Sequence, residues 1–328
     1  MSKNVLLVGC GQLGSRHLQA IASLGDIARI DVFDTDPAGL VLGQARLKEV
    51  VDANPAVGVR WFTQLDRTAK DVDLCVVATQ AKGRGRLIKD IVAHTGCRKF
   101  FIEKIVAQSM REYDDLMIFC AKSGVRVWVN CKARAYGAHQ YVRSCLDPDK
   151  PLTMSVLAGN FGLANSGIHE ADLFVFYDKA KGIELLSADI DEGLLPSKRG
   201  SDLWDLSGCL RGRSARGSRL HIVFDPSHMH LEWVVVGDDK SRFLVDYAGQ
   251  VVCESRLENQ WRMVVKDFKE DWRVSAMTRN FVRQLLAGEA CVLPTLAEAA
   301  IAHRFILSSL QPYFNRLLKT ELNCCPVT

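Results

Sequence analysis

No apolar run in the 328-residue chain reaches the roughly 18 residues that read as a membrane-spanning helix. A large charge of either sign is also missing. Lys and Arg total 42 against 38 Asp and Glu, a formal +4. A dedicated nucleic-acid binder carries a larger, clustered basic excess, so that class is excluded. Disorder needs low hydrophobicity with high net charge, and 48% hydrophobic content excludes it as the main state. No C-x-x-C occurs among the eleven cysteines. Their odd count, and the place of Cys75, Cys120 and Cys131 inside apolar runs, point to buried reduced thiols in a cytoplasmic protein. Cys324-Cys325 reads as an incidental exposed pair. The opening Met1-Ser2-Lys3-Asn4-Val5 leads into a short apolar run with glycines, not a signal peptide. Repeats and low-complexity tracts are absent.

At about 150 residues per domain, the length predicts two domains. Short apolar runs at Val5–Val8, Ile30–Phe33, Asp73–Thr79, Arg98–Glu103 and Val125–Asn130 alternate with helical segments. That alternation indicates right-handed βαβ units and a parallel sheet. After the Pro-rich stretch Asp147–Pro151, short strands with hairpin-like Gly and Asp signals predominate. A helix is expected over about Gly167–Asp178, and two more close the chain. The expected fold class is α/β: a doubly wound Rossmann sheet over residues 1–148, then an α+β domain over 149–328 with an open, mostly antiparallel sheet. Whether the last helices pack back on the first domain stays open.

Gly9-Cys10-Gly11-Gln12-Leu13-Gly14 is G-x-G-x-x-G, placed after a strand and opening a helix, with Asp34 closing the next strand. Gly9 permits the tight turn, Gly11 admits a pyrophosphate, and Gly14 lets the helix pack on the strand. The helix N-terminus faces the phosphates. Asp34 is placed to accept from the ribose hydroxyls and to repel a 2′-phosphate, which favours NAD over NADP while leaving NADP open.

Five pieces stand in a telling order. They are GCGQLGSRHLQAI from Gly9, the strand end Val76-Val77-Ala78-Thr79, Phe101-Ile102-Glu103-Lys104, Asn165-Ser166-Gly167-Ile168-His169-Glu170-Ala171-Asp172, and Leu293-Pro294-Thr295-Leu296-Ala297-Glu298-Ala299. Together they resemble the Gfo/Idh/MocA oxidoreductases over nearly the whole chain. The resemblance implies a nicotinamide cofactor, usually a sugar or polyol substrate, and a homodimer or homotetramer. Two motifs depart from the family. Glu-Lys-Pro is Glu103-Lys104-Ile105 here, and Asp-x-x-x-His has Asn165 in place of Asp. The segments FFIEKIVAQSMREYDDL and VNCKARAYGAHQY look like a branch tied to bacterial surface-glycan sugar pathways, which extends the substrate class to sugar nucleotides.

Hydride transfer from a carbinol needs a base for the hydroxyl proton and a cation for the developing alkoxide. The resemblance assigns Lys104 to the alkoxide and the cofactor. His169 is the candidate base, since its ordinary pKa suits neutral pH, with Asn165 as a hydrogen-bonding partner of the substrate. Gln12, Leu13, Thr79 and Glu103 complete the cofactor candidates. Asn130 and Arg134 complete the substrate candidates, and Asp172 is a supporting residue. Two basic clusters, Lys82/Arg84/Arg86/Lys89 and Arg211/Arg213/Arg216/Arg219, read as diphosphate sites or solvated faces. His228 and His230 share a strand face, but no metal site is expected for want of further ligands. The expected function is an NAD(P)-dependent oxidoreductase acting on a sugar, polyol or sugar nucleotide, with neither nucleic-acid nor membrane partner. A rival is a non-catalytic dinucleotide-binding sensor or partner protein, favoured by Asn165 and Ile105. A third reading is reduction of a non-sugar carbonyl or imine.

Overall fold

The computed structural model describes residues 2–50, 56–159, 162–197, 199–227 and 232–328. They divide into two compact units, one comprising 1–107, 111–130 and 271–296, the other 108–110, 131–270 and 297–328.

The first unit begins with β1 (Lys3–Val8), α1 (Gly14–Ala22), β2 (Ile27–Phe33), α2 (Pro37–Leu47), β3 (Gly58–Phe62) and β4 (Leu74–Val77). Next come α3 (Arg84–Thr95), β5 (Lys99–Ile102), α4 (Met110–Ser123) and β6 (Arg126–Val129). The strands form one sheet in the order β3-β2-β1-β4-β5-β6, every pair parallel. This is the doubly wound order expected from the alternating pattern, with the ligand crevice at the carboxyl ends of the strands. The continuous apolar runs fit the burial: Val5–Val8 and Leu74–Val77 are closed from solvent because helices cover both faces.

The second unit carries α5 (Gly137–Cys145), β7 (Thr153–Gly159), α6 (Leu163–Asp178), β8 (Glu184–Ile190), and the two-residue strands β9 (Leu195–Pro196) and β10 (Trp204–Asp205). It continues through β11 (Gly208–Arg213), β12 (Arg219–Asp225), β13 (Glu232–Gly237), β14 (Ser241–Asp246), β15 (Val251–Arg256) and β16 (Val264–Asp267). Two helices end the chain, α7 (Val274–Ala287) and α8 (Leu296–Leu318). α7 belongs to the first unit, where it packs on α1. The eight-stranded sheet runs β16-β15-β14-β13-β7-β12-β11-β8, and only β7–β12 is a parallel pair. This is the mostly antiparallel sheet the hairpin signals predicted. α6 contacts β12 on the face that buries Leu220, Ile222 and Phe224. The opposite face exposes Leu157, Trp233 and Val235.

Three local expectations change. α6 starts at Leu163 rather than near Gly167, so Asn165 lies on the helix with His169. The cause is a cap supplied from β10: Asp205 accepts from the Ala164 N–H (2.7 Å) and the Asn165 N–H (3.2 Å). α5, β9 to β11 and β16 have no counterpart in the sequence pattern. Cys325 is buried, with its Sγ 3.5 Å from the Leu307 carbonyl, so the terminal pair is not an exposed one. No helix among the described residues is long and apolar enough to cross a membrane.

Candidate functional site

The glycine loop joins β1 to α1, and its geometry explains each glycine. Gly9 has φ +83°, and a Cβ there would stand 2.9 Å from the Thr79 amide nitrogen. A Cβ on Gly14 would stand 1.9 Å from the Gly9 carbonyl oxygen, so only glycine lets α1 close on the strand. Around Gly11, by contrast, nothing lies within 4 Å of such an atom, and this is the place left open for a ligand. Gln12 is exposed and Leu13 half-buried. Asp34 closes β2. Its Oδ2 accepts from the Cys10 N–H (2.6 Å), and its Oδ1 from the Asp36 N–H (3.0 Å). Burial and the neighbouring Asp34 push the Cys10 thiol up to about 12, so it remains an inert packing group against α2.

Two partners of this loop escaped the sequence reading. Arg46 on α2 reaches the loop and donates to the Gln12 carbonyl and the Ser15 hydroxyl, both at 2.6 Å. Arg84, read as part of an exposed basic stretch, is 2% exposed. Its guanidinium donates to the carbonyls of Thr79, Glu103 and Ile105. It thereby ties the end of β4 to the end of β5 and holds the segment bearing Lys104. The Lys104–Ile105 peptide is cis, and Lys104 itself is half-buried.

Glu103 turns away from the sheet edge. It accepts from Asn130 Nδ2 (2.5 Å) and from His17 Nε2 (2.9 Å). A carboxylate can only accept, so Nε2 carries a proton, and Nδ1 lies 2.8 Å from the Thr278 hydroxyl. Burial raises the Glu103 carboxyl, but the bonds from His17 and Asn130 outweigh it and bring the group down to about 2. The sequence reading placed Glu103 and Asn130 toward the ligand, and the structure binds them to each other. Two atoms at the same edge keep unspent capacity. Thr79 Oγ1 and Asn130 Oδ1 are buried with no hydrogen-bond partner among the described residues. The residues around the loop therefore fit a dinucleotide, with an open cradle at Gly11 and orphaned polar atoms beside it.

In the second unit, Asn165 and His169 stand one turn apart on α6, and both are half-buried. The Asn165 amide donates to Asp205 Oδ2 at 2.5 Å, a partner 40 positions away that no local signal announces. Burial raises the Asp205 carboxyl. Arg134, expected at the substrate, is committed elsewhere. Its Nε and Nη2 donate to Asp172 at 2.5 and 2.8 Å, with the pair at 5% and 1% side-chain exposure. Burial lifts Asp172 to about 6 against the pull of Arg134, which leaves the pair ionised at neutral pH. Both fastened residues sit within one turn of His169, so they set its helix in place.

Behind α6 lies a buried carboxyl pair, Glu170 and Glu232 on β13, close to Tyr136, Tyr177 and Tyr247. Burial, then mutual repulsion, raises Glu170 well above the ordinary range, and burial raises Glu232. The folded state therefore holds a proton on this pair to higher pH than the unfolded chain does. The unfolded chain releases that proton above about pH 4.3, so the folded state binds more protons. Its stability is then full below that pH and falls by about 1.4 kcal/mol per pH unit until the pair ionises. Glu170→Gln is expected to flatten this decline and to raise stability at pH 8, because the amide supplies the missing donor. Denaturant titrations across pH 5–9 measure the slope, and an unchanged slope in the variant sinks the assignment.

Among the described residues no group of three or more His, Cys, Asp or Glu side chains is placed to hold a metal ion. His228 and His230 lie outside the described residues.

Residues 3–131 match the model of an oxidoreductase family with an NAD-binding Rossmann fold. No curated protein matches the chain. Solved structures share the fold end to end. The UDP-N-acetylglucosamine 3-dehydrogenase GnnA of Acidithiobacillus ferrooxidans is 15% identical, with a TM-score of 0.71 over 99% of this chain and 98% of that one. The transcriptional regulator Gal80p of Kluyveromyces lactis is 14% identical, with 0.72 over 94% and 88%. An oxidoreductase of Agrobacterium radiobacter, solved with NAD+, L-tartaric acid and magnesium, is 13% identical, with 0.72 over 93% and 94%. At such identities these structures speak for the fold alone; residues 3–131 match the Gfo/Idh/MocA oxidoreductase family model, with an NAD-binding Rossmann fold.

Proposed function

We propose that the protein is an NAD-dependent oxidoreductase that moves a hydride between the nicotinamide and a carbinol or carbonyl of a sugar, polyol or sugar nucleotide. The observation that carries this reading is the loop at Gly9–Gly14, open at Gly11 and flanked by the orphaned Thr79 hydroxyl. Asp34 with its neighbour Asp36 supports NAD over NADP, since two carboxylates repel a 2′-phosphate. The sugar-nucleotide class draws on the likeness to GnnA, whose name states such a substrate. A bound nicotinamide supplies the hydride acceptor or donor. The chain's own residues do the rest. His169 takes the hydroxyl proton, and Lys104 places an ammonium against the developing alkoxide. Asn165 cannot accept a proton, and its amide donates to Asp205. The exposed Leu157, Trp233 and Val235 support pairing of two copies through the open face of the sheet.

A second reading has one observation in its favour. The family's usual aspartate is replaced by Asn165, and Gal80p, a transcriptional regulator, shares the fold. On that reading the chain binds a dinucleotide and transfers nothing. Titration with NAD and NADP, followed by a panel of UDP-sugars and free polyols with reduced-nicotinamide absorbance as readout, separates the two. Tight NAD binding with absorbance change on one class is the expected result. Binding without redox change across the panel transfers the assignment to a sensor, and no binding of either dinucleotide removes both.

A further inference from the structure

The helix that bears Asn165 and His169 is capped from a distance, and the cap has a support of its own. Asp205 accepts from the Ala164 and Asn165 N–H groups at 2.7 and 3.2 Å, from the Asn165 amide at 2.5 Å, and from the Leu206 N–H at 2.8 Å. The Leu206 carbonyl in turn accepts from the Leu163 N–H at 2.7 Å. A Cβ on Gly162 would collide with the Asp205 carboxylate, so position 162 closes directly on it. The head of α6 therefore goes where Asp205 goes.

What holds Asp205 is not its own hairpin. β9 and β10 are two residues each and form a sheet separate from the eight-stranded one. A ribbon of two such strands does not support itself. β10 ends at Asp205 and β11 begins at Gly208, which anchors the chain downstream. Upstream, the brace comes from residues 325–328. The Pro326 carbonyl accepts from the Trp204 N–H at 2.7 Å.

That segment is fastened elsewhere as well. The Cys325 N–H donates to the Gln108 carbonyl at 2.8 Å, and Gln108 Nε2 donates to the Val327 carbonyl at 2.9 Å. Arg199 donates to the Thr328 carbonyl at 3.2 Å. Cys325 and Val327 are closed from solvent, and Thr328 is buried. All of these residues belong to the second unit, as does α6. An extended segment that buries its side chains and spends its backbone groups on three separate parts of one unit acts as a strap.

We infer that residues 325–328 position the proposed base: by holding Trp204 they hold Asp205, and through Asp205 they hold Asn165 and, one turn on, His169. The strap touches no reacting atom, so it is a positioning element. Its part in turnover rests on the reading of His169 as the base. The scale of the effect follows from geometry, since a misplacement of about 1 Å at a reacting group costs about 10²-fold in rate.

Deletion of residues 325–328 from the otherwise full chain tests this by exchange, kinetics and coupling. Hydrogen exchange over residues 162–170 is expected to quicken by about tenfold or more as the capped N–H groups loosen, while exchange over the glycine loop and α1 stays as it was. The kcat is expected to fall by about 10–100-fold. NAD binding should be unchanged, and the acid limb of the pH profile should remain because His169 is still present. Asp205→Asn should cost a similar factor. The deletion combined with Asp205→Asn should cost no more than the larger single loss, because both act through one contact. Gln108→Leu keeps the chain whole and removes one strap bond. It is expected to move the same readouts in the same direction, and it stands in for the deletion if that variant does not fold. Unchanged exchange over 162–170 in the strap variants overturns the inference. So does faster exchange there with unchanged kcat, or losses that multiply in the combined variant. An unaltered chain that transfers no hydride with any UDP-sugar or polyol of the panel removes the redox reading and this role with it, and the exchange result tells that failure from a failure of the strap.

Discussion

His169→Ala is expected to slow turnover by about 10²–10⁴-fold, the usual contribution of a positioned general base, while NAD binds as in the unaltered chain. The two readouts separate because His169 stands on α6 of the second unit, whereas the glycine loop, Asp34 and Thr79 belong to the first. The expectation is sharper here than where an aspartate stands at position 165. The Asn165 amide is already spent as a donor to Asp205, and an amide has no basic site to take over proton transfer. Asp205 itself accepts from three backbone N–H groups at the head of α6 and just after β10, which commits it to the cap. The pH profile adds an independent readout. In the unaltered chain kcat should fall on the acid side as the imidazole protonates, and the alanine variant should lose that limb. Unchanged turnover in His169→Ala ends the base assignment.

The second large effect concerns stability. Asp172→Ala is expected to cost about 3–5 kcal/mol, because it strands a buried guanidinium without its counter-charge. Arg134 projects from the short helical turn Lys132–Ala135, is buried, and lies over the Phe176 ring at 5.5 Å. The cost belongs to the unpaired charge and not to any large net worth of the pair. Arg134→Met/Asp172→Leu should therefore recover most of the loss, since apolar replacements of buried pairs are often neutral or better. Chemical denaturation of the single and double variants measures both. A double variant as unstable as the single one refutes this account. If the pair also sets the position of His169, the recovered variant regains stability but not full turnover.

The parallel domain was legible because its information is local. Val5–Val8 and Leu74–Val77 are continuous apolar runs, as strands buried on both faces must be, and the glycine loop announces itself within six residues. What escaped depends on partners far along the chain. Arg84 looks like its neighbours Arg86 and Lys89, yet only Arg84 meets three carbonyls at the ends of two other elements. His17 and Thr278 are 261 positions apart and join only when α7 packs on α1. The start of α6 has no local signal because its cap comes from Asp205 and not from the residue before the helix. A place near strand ends points Arg134 and Glu103 toward a ligand, and the structure pairs them with Asp172 and with His17 and Asn130. Position near the sheet edge is visible in sequence, but the direction of a long charged side chain follows whichever buried counter-charge packing brings to it.

The parallel pair β7–β12 also has a bearing on how the chain emerges from the ribosome. β7 lies mid-sheet, with β12 on one side and β13 on the other. β13 to β16 form a meander of near neighbours, but β7 precedes both of its partners by a long interval. At about 5–20 residues per second, the roughly 60 residues between Gly159 and Arg219, where the first partner begins, take roughly 3–12 s to synthesise. Throughout that interval Met154, Val156 and Ala158 belong to a strand with two bare edges. β7 is thus the segment of the nascent chain that a holdase chaperone is best placed to capture, and slowing translation across β8 to β12 should lengthen that exposure.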